Sequence, residues 1–172
     1  MTNLAFKGDD FPAAAEKNLR DARALLASRR WDGAAYLSGY AVECSLKTIL
    51  LLEALARTCG ATTLASLLRA SSTSAPTASH EAIRKKIRHD LSKALKVARG
   101  IQPVVGLHSS AVTARYLHAG WCRLSLCRHW RETMRYGSEG MVARTKARTW
   151  VRGAESMVAQ TVTQMRADGV VA

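Results

Sequence analysis

At 172 residues the chain is long enough for one domain with a substantial core and too short for two full-sized ones. An apolar content of 48% excludes a disordered chain, and abundant alanine, leucine and arginine, with three prolines and no long alternating β-branched run, points to an all-α protein. A net charge of +13 directs it toward polyanions: nucleic acid first, then an acidic protein or an anionic membrane surface.

Residues 1–9 read as a flexible lead-in. Asp9 and Asp10 then precede Phe11-Pro12, which places acids and a first-turn proline where a helix begins. Leu19, Ala22, Leu25 and Leu26 recur at helical spacing, so the first helix is expected to run to about Arg29. The turn Arg29-Arg30-Trp31-Asp32-Gly33 follows, with Asp32 available as the cap of the next helix. That second helix, to about Thr58, is the most apolar stretch of the chain. On a helical wheel Tyr36, Tyr40, Glu43 and Lys47 fall within about 60° of one another. They form a polar seam, with the Glu43 and Lys47 pair in the favourable order. The seam also argues for a helix buried in a bundle rather than one crossing a membrane. The two helices should pack as an antiparallel hairpin.

Cys59-Gly60 ends the second helix, with Gly60 suited to a left-handed cap. A short helix over 62–70, a Ser/Thr-rich loop over 71–79, and a basic helix over 80–99 come next. A break at 100–106 leads to a fourth long helix over about 108–134, a second break over 136–140, and a last helix over about 142–166. The expected architecture is an up-and-down antiparallel bundle of about five helices, forming one domain over 10–167 with a tail at 168–172.

Cys44, Cys59, Cys122 and Cys127 include no CxxC pair, and His80, His89, His108, His118 and His129 show no metal-ligand spacing. Reduced thiols, no metal and no cofactor are expected. With no apolar run of signal-peptide length near the N-terminus, the expected location is cytoplasmic. Phosphate-loop, dinucleotide-fold and HExxH signatures do not occur. The charge is concentrated: residues 80–152 carry 16 Lys/Arg against four acids, a local net of +12.

The pattern from Arg30-Trp31-Asp32-Gly33 through Tyr36, Tyr40 and Glu43 to Lys47, then His89-Asp90-Leu91, then Trp130 with Arg135-Tyr136, resembles the HEPN domain superfamily, closest to its prokaryotic members. The resemblance covers about residues 10–165. It implies an α-helical bundle, often a homodimer. It also implies one of two roles: a metal-independent endoribonuclease, including toxins paired with a nucleotidyltransferase antitoxin, or a module that binds RNA or nucleotides without cleaving them. A non-catalytic interaction module whose basic face meets an acidic protein is the alternative from another class.

The active members carry an arginine, four to six residues, then a histidine. Arg123 with His129 satisfies that spacing, and so does Arg84 with His89. Arg123 is followed by Leu124, where the family usually has a polar residue. Metal-free RNA cleavage needs a base for the 2′-hydroxyl proton, which histidine suits, and a cation for the phosphate, which arginine suits. On one regular helix Arg123 and His129 lie about 120° apart, and Arg84 and His89 about 140° apart. A broken helix or a dimer axis would be needed to bring either pair together.

For nucleic-acid binding the candidates are Arg128, Arg131, Arg135, Tyr136, Arg144 and Arg148, either as a phosphate-binding face or as solvated surface. Trp130 reads either as part of a base-gripping end or as core. In the second case Arg135 would be free to pair with an acid such as Glu43.

Overall fold

The computed structural model describes residues 10–69, 81, 91, 115–118, 121 and 124–171. Among these residues the regular structure is helical, with no strand. Helix α1 spans Phe11–Ala27 and α2 Trp31–Thr58; α3 is the short Leu64–Arg69. Helix α4 is Ser125–His129, followed by a 3₁₀ turn over Glu132–Tyr136. Helix α5, Arg144–Val158, continues through a π turn at Ala159–Thr163 into α6, Gln164–Ala167. The basic helix expected over 80–99 and the Ser/Thr-rich loop lie outside the described residues.

Helix α1 begins as its sequence dictates. The Asp10 carboxylate accepts from the Ala13 amide at 3.0 Å, and Pro12 occupies the first turn. Its end is less ordinary. Arg29 has φ of 60°, and the amide of Arg30 donates to the carbonyl of Leu25 at 2.8 Å. This is a Schellman cap with arginine where glycine usually stands. Helix α2 starts without a side-chain cap, its N-cap being Arg30. Asp32 therefore does not cap α2; it sits within the first turn, where its carboxylate is free to bind elsewhere. Gly60 closes α2 with φ of 62°, as expected.

Helix α2 is the axis of the molecule. Every residue from Ala41 to Glu53 is buried. Its hydroxyls are satisfied within the helix: Ser38 donates to the Ala34 carbonyl at 2.7 Å, Ser45 to Ala41 at 2.9 Å and Thr48 to Cys44 at 2.9 Å. Helices α1 and α5 both pack on it and on each other. Small residues allow the approach, with Ala15 and Ala22 from α1, Ala34 and Ala41 from α2, and Ala147 and Ala154 from α5 all fully buried. Arg23 pairs with Glu155, and Arg166 with Glu16, so α5 and α6 run antiparallel to α1.

Two expectations about the second half of the chain are corrected. The long fourth helix is not continuous. Leu117 and His118 are not helical, Leu124 is extended (φ −65°, ψ 122°), and α4 ends at Trp130, also extended (φ −68°, ψ 139°). The break at Trp130 turns its indole into the core instead of along a helix surface. The segment placed outside the domain as a tail packs into it. Val170 and Val171 are buried, and the Asp168 carboxylate accepts from Arg115 (2.7 and 3.0 Å), the Tyr116 hydroxyl (2.7 Å) and Gln164 (3.0 Å). Of the described cysteines Cys44 and Cys127 are buried and Cys59 is half-buried, and no described helix is long and apolar enough to cross a membrane.

Candidate functional site

The polar seam of α2 has a definite geometry. Glu43 and Lys47 are both buried and form an ion pair at 2.5 Å. The Lys47 ammonium also lies 5.2 Å from the centre of the Phe11 ring. One turn earlier the Tyr36 and Tyr40 hydroxyls are 3.1 Å apart, and their rings meet edge to face at 5.0 Å. Burial, then the Tyr36 hydrogen bond, pushes the Tyr40 phenol above its ordinary range, so it is neutral at any physiological pH.

Trp130 reaches this seam from the other half of the chain. Its indole nitrogen donates to the Tyr36 carbonyl at 3.0 Å. The ring stacks on Tyr36 with centroids 6.3 Å apart and meets Tyr40 edge to face at 5.2 Å. Of the two readings of Trp130, core is the one observed. The companion expectation, that Arg135 pairs with Glu43, is corrected. Arg135 lies at the surface end of the 3₁₀ turn, pairs with Glu132 at 3.2 Å and lies 4.7 Å over the Tyr136 ring. Glu43 is two helical turns inside the bundle and takes its cation from α2 itself.

With Trp130 anchored, the residues after it close over the start of α2. The Asp32 carboxylate accepts the amides of Gly140 at 2.8 Å and Val142 at 2.6 Å, binding the 137–143 loop to the first turn of α2. Between them is a cavity of about 620 Å³. One lip is the α1–α2 turn, with Arg29, Arg30, Trp31 and Tyr36; the other carries Met134, Arg135 and the 137–140 loop. Three arginines therefore face two acids, Asp32 and Glu139, and the Asp32 carboxylate is already engaged by backbone amides. Arg144 lies over the Trp31 ring at 5.7 Å. Tyr136, at the rim, is 75% exposed.

The HEPN domain family model matches residues 10–162. The chain belongs to the HEPN domain family. No curated protein and no solved structure matches it. The match covers both halves of the cleft in this HEPN domain, the start of α2 and the 134–140 segment.

The residues singled out in the sequence fall into separate places. Arg135 lines the cleft, with Tyr136 beside it and Arg144 adjoining through Trp31. Arg148 is exposed one turn further along α5. Arg128 is exposed at the end of α4, and Arg131 is folded back onto the carbonyls of Arg128 and Trp130. His129 is exposed beside Arg128 and is not part of the cleft lining. Arg123, Arg84 and His89 lie outside the described residues. The extended backbone at Leu124 interrupts the chain between Arg123 and His129, so the 120° separation of a continuous helix does not apply to them.

Sequence reasoning did not place Arg29, Arg30 or Asp32 in a site. The run Arg-Arg-Trp-Asp in a turn was the available signal, but nothing local showed that residues 134–140 would face it. A second cavity, about 420 Å³, is lined by Arg115, Tyr116, His118, Gln160 and Gln164. Its arginine is already neutralised by Asp168. Among the described residues no group of His, Cys, Asp or Glu side chains is arranged to hold a metal ion.

Proposed function

We propose that this HEPN domain binds RNA or nucleotides in the cleft between the α1–α2 turn and the 137–140 loop. The observation that carries this reading is the meeting of three arginines with the Trp31 and Tyr36 rings around one cavity. Guanidinium groups suit phosphate oxygens, and aromatic faces suit bases. Tyr136, exposed under the Arg135 guanidinium, extends the stacking surface at the rim. The net charge of +13 supports the same class of ligand.

The test is binding of a labelled single-stranded RNA followed by anisotropy. Affinity should fall steeply as salt rises, and Arg135→Ala with Tyr136→Ala should weaken it by about tenfold or more. No binding at low salt would overturn the reading.

Within it, metal-independent cleavage is the activity carried by toxin-type relatives, with a nucleotidyltransferase antitoxin as the protein partner. His129 is the base this reading offers, and Arg123 the phosphate-holding cation; a homodimer is the assembly that would complete such a site. Cleavage in EDTA that His129→Ala abolishes supports the assignment. Cleavage untouched by both His129→Ala and His89→Ala removes it.

The second reading is a non-catalytic module that docks an acidic protein. It is favoured by the exposure of Tyr136 and Met141, large apolar side chains beside the arginines. A stable complex with an acidic partner that excludes RNA, seen by size-exclusion chromatography, would support it.

A further inference from the structure

The described cations divide by partner. Arg23, Arg57, Arg115, Arg135 and Arg166 are each paired with an acid: Glu155, Glu53, Asp168, Glu132 and Glu16. Arg29, Arg30, Arg144, Arg148 and Arg152 are five of the ten described Lys/Arg side chains with no acidic partner, the others being Arg20, Arg69, Arg128, Arg131 and Lys146.

The first five are not scattered. Arg29 and Arg30 form one lip of the cleft. Arg144 lies over Trp31 on that same lip. Arg148 and Arg152 follow on α5 at intervals of four residues, all exposed. Each step advances about 6 Å along α5 and rotates about 40° around it. The three therefore make a ridge about 12 Å long that starts at the cleft. It stops at Glu155, whose charge is taken by Arg23 from α1.

Like charges four residues apart on a helix repel each other. Nothing described on this face relieves that repulsion, although acids are used for pairing elsewhere. A ligand with one phosphate would engage the cleft alone. A ligand with phosphates repeated along a flexible chain would engage the cleft and the ridge together.

We infer that the Arg144–Arg148–Arg152 ridge tracks the sugar–phosphate backbone of a single-stranded RNA, one of whose nucleotides occupies the cleft. The inference rests on the assignment of the cleft to a nucleotide. A single strand is specified because a base enters a cavity of this size only when it is unstacked and unpaired, and because the strand must turn from the cleft onto the helix. Arg contacts to phosphate carry no sequence information, so the ridge extends the footprint without adding base preference.

The experiment compares a ten-nucleotide single-stranded RNA, the same sequence as a duplex, and a nucleoside monophosphate, each with the full chain and with the double variant Arg148→Gln/Arg152→Gln. Both side chains are exposed, and unchanged thermal unfolding of the variant checks its fold. The expected result is tighter binding of the single strand than of the duplex. In the variant its affinity should fall by about tenfold, and its salt slope should shrink by about 1.4, the contribution of two phosphates on a single strand. Monophosphate affinity, which reports on the cleft, should not move. A variant that binds the ten-nucleotide strand with wild-type affinity and slope overturns the ridge while leaving the cleft standing. Duplex bound as tightly as single strand overturns the choice of strand. Monophosphate and single strand both failing to bind the wild-type chain at low salt would instead remove the cleft assignment, and the ridge with it.

Discussion

The indole of Trp130 lies directly against the backbone of Gly39. A Cβ placed on Gly39 would stand 2.0 Å from the indole nitrogen, so glycine at this point of α2 is a condition for the ring's being there at all. Gly39 is fully inside a helix, where glycine costs about 1 kcal/mol relative to alanine. Burial of Trp130 and its hydrogen bond to Tyr36 outweigh that cost. Gly39→Ala should therefore destabilise the protein, against the usual direction for a helical glycine. Expelling the ring forfeits about 3 kcal/mol, or a fall of about 10 °C in the melting temperature. Trp130→Phe keeps a ring and loses the donor, and should cost less, about 1–2 kcal/mol. Gly39→Ala at or above wild-type stability would show that Trp130 does not sit on this helix.

The Glu43–Lys47 pair is buried on both sides. Removing one charge leaves the other in a poorly solvated place, and Glu43→Ala should lower stability by about 3 kcal/mol. Lys47→Ala should do the same. In urea unfolding, the double variant should lose clearly less than the sum of the two singles. Additive losses would mean that the two groups do not act as a pair.

Arg29 occupies the left-handed position of the α1 cap at φ 60°. Glycine there would relieve strain of about 1 kcal/mol, partly offset by greater freedom of the unfolded chain. Arg29→Gly should thus leave thermal stability unchanged or slightly raised, while weakening the proposed RNA binding several-fold by removing a cation from the cleft. Lower stability with unchanged binding would make Arg29 an ordinary structural residue.

The Arg115 guanidinium, together with the Tyr116 and Gln164 hydrogen bonds, holds the Asp168 carboxyl down at about 2 from an ordinary 3.8. Because the folded value is depressed, the unfolded chain takes up the proton first as pH falls. The stabilisation is fully present above about pH 5 and is lost between there and about pH 2. Asp168→Asn should lower the melting temperature at pH 7 by several degrees, corresponding to about 1–2 kcal/mol. The gap between variant and wild type should narrow steadily as pH is lowered from 5 to 2. A gap independent of pH would detach Asp168 from the acid response.

The first half of this fold is written locally. Asp10 and Pro12 start α1, apolar residues at helical spacing give its buried face, and a predominantly apolar sequence makes α2 the axis. The polar stripe of Tyr36, Tyr40, Glu43 and Lys47 follows from the helical period alone, because residues four apart share a face. The family pattern was legible for the same reason: it is carried mostly by this one helix.

The second half depended on contacts that periodicity does not encode. Residues 108–134 have the composition of a helix, yet the backbone is extended at Leu124 and Trp130. The energy of inserting one indole beside Gly39 exceeds the local preference for continuing a helix. That insertion carries Arg135 away from Glu43 and onto the rim of the cleft. Asp32 reads in sequence as a helix cap; in three dimensions it binds the amides of Gly140 and Val142, more than a hundred residues away. By itself, then, the sequence determined the helices of the early hairpin, their polar seam and the excess of arginine. Only the tertiary structure decided which arginines acids neutralise and which stand unpaired around a cavity. A charge's partner depends on distance in space, and the chain brings residues 29–36 and 134–144 together through packing that neither segment specifies alone.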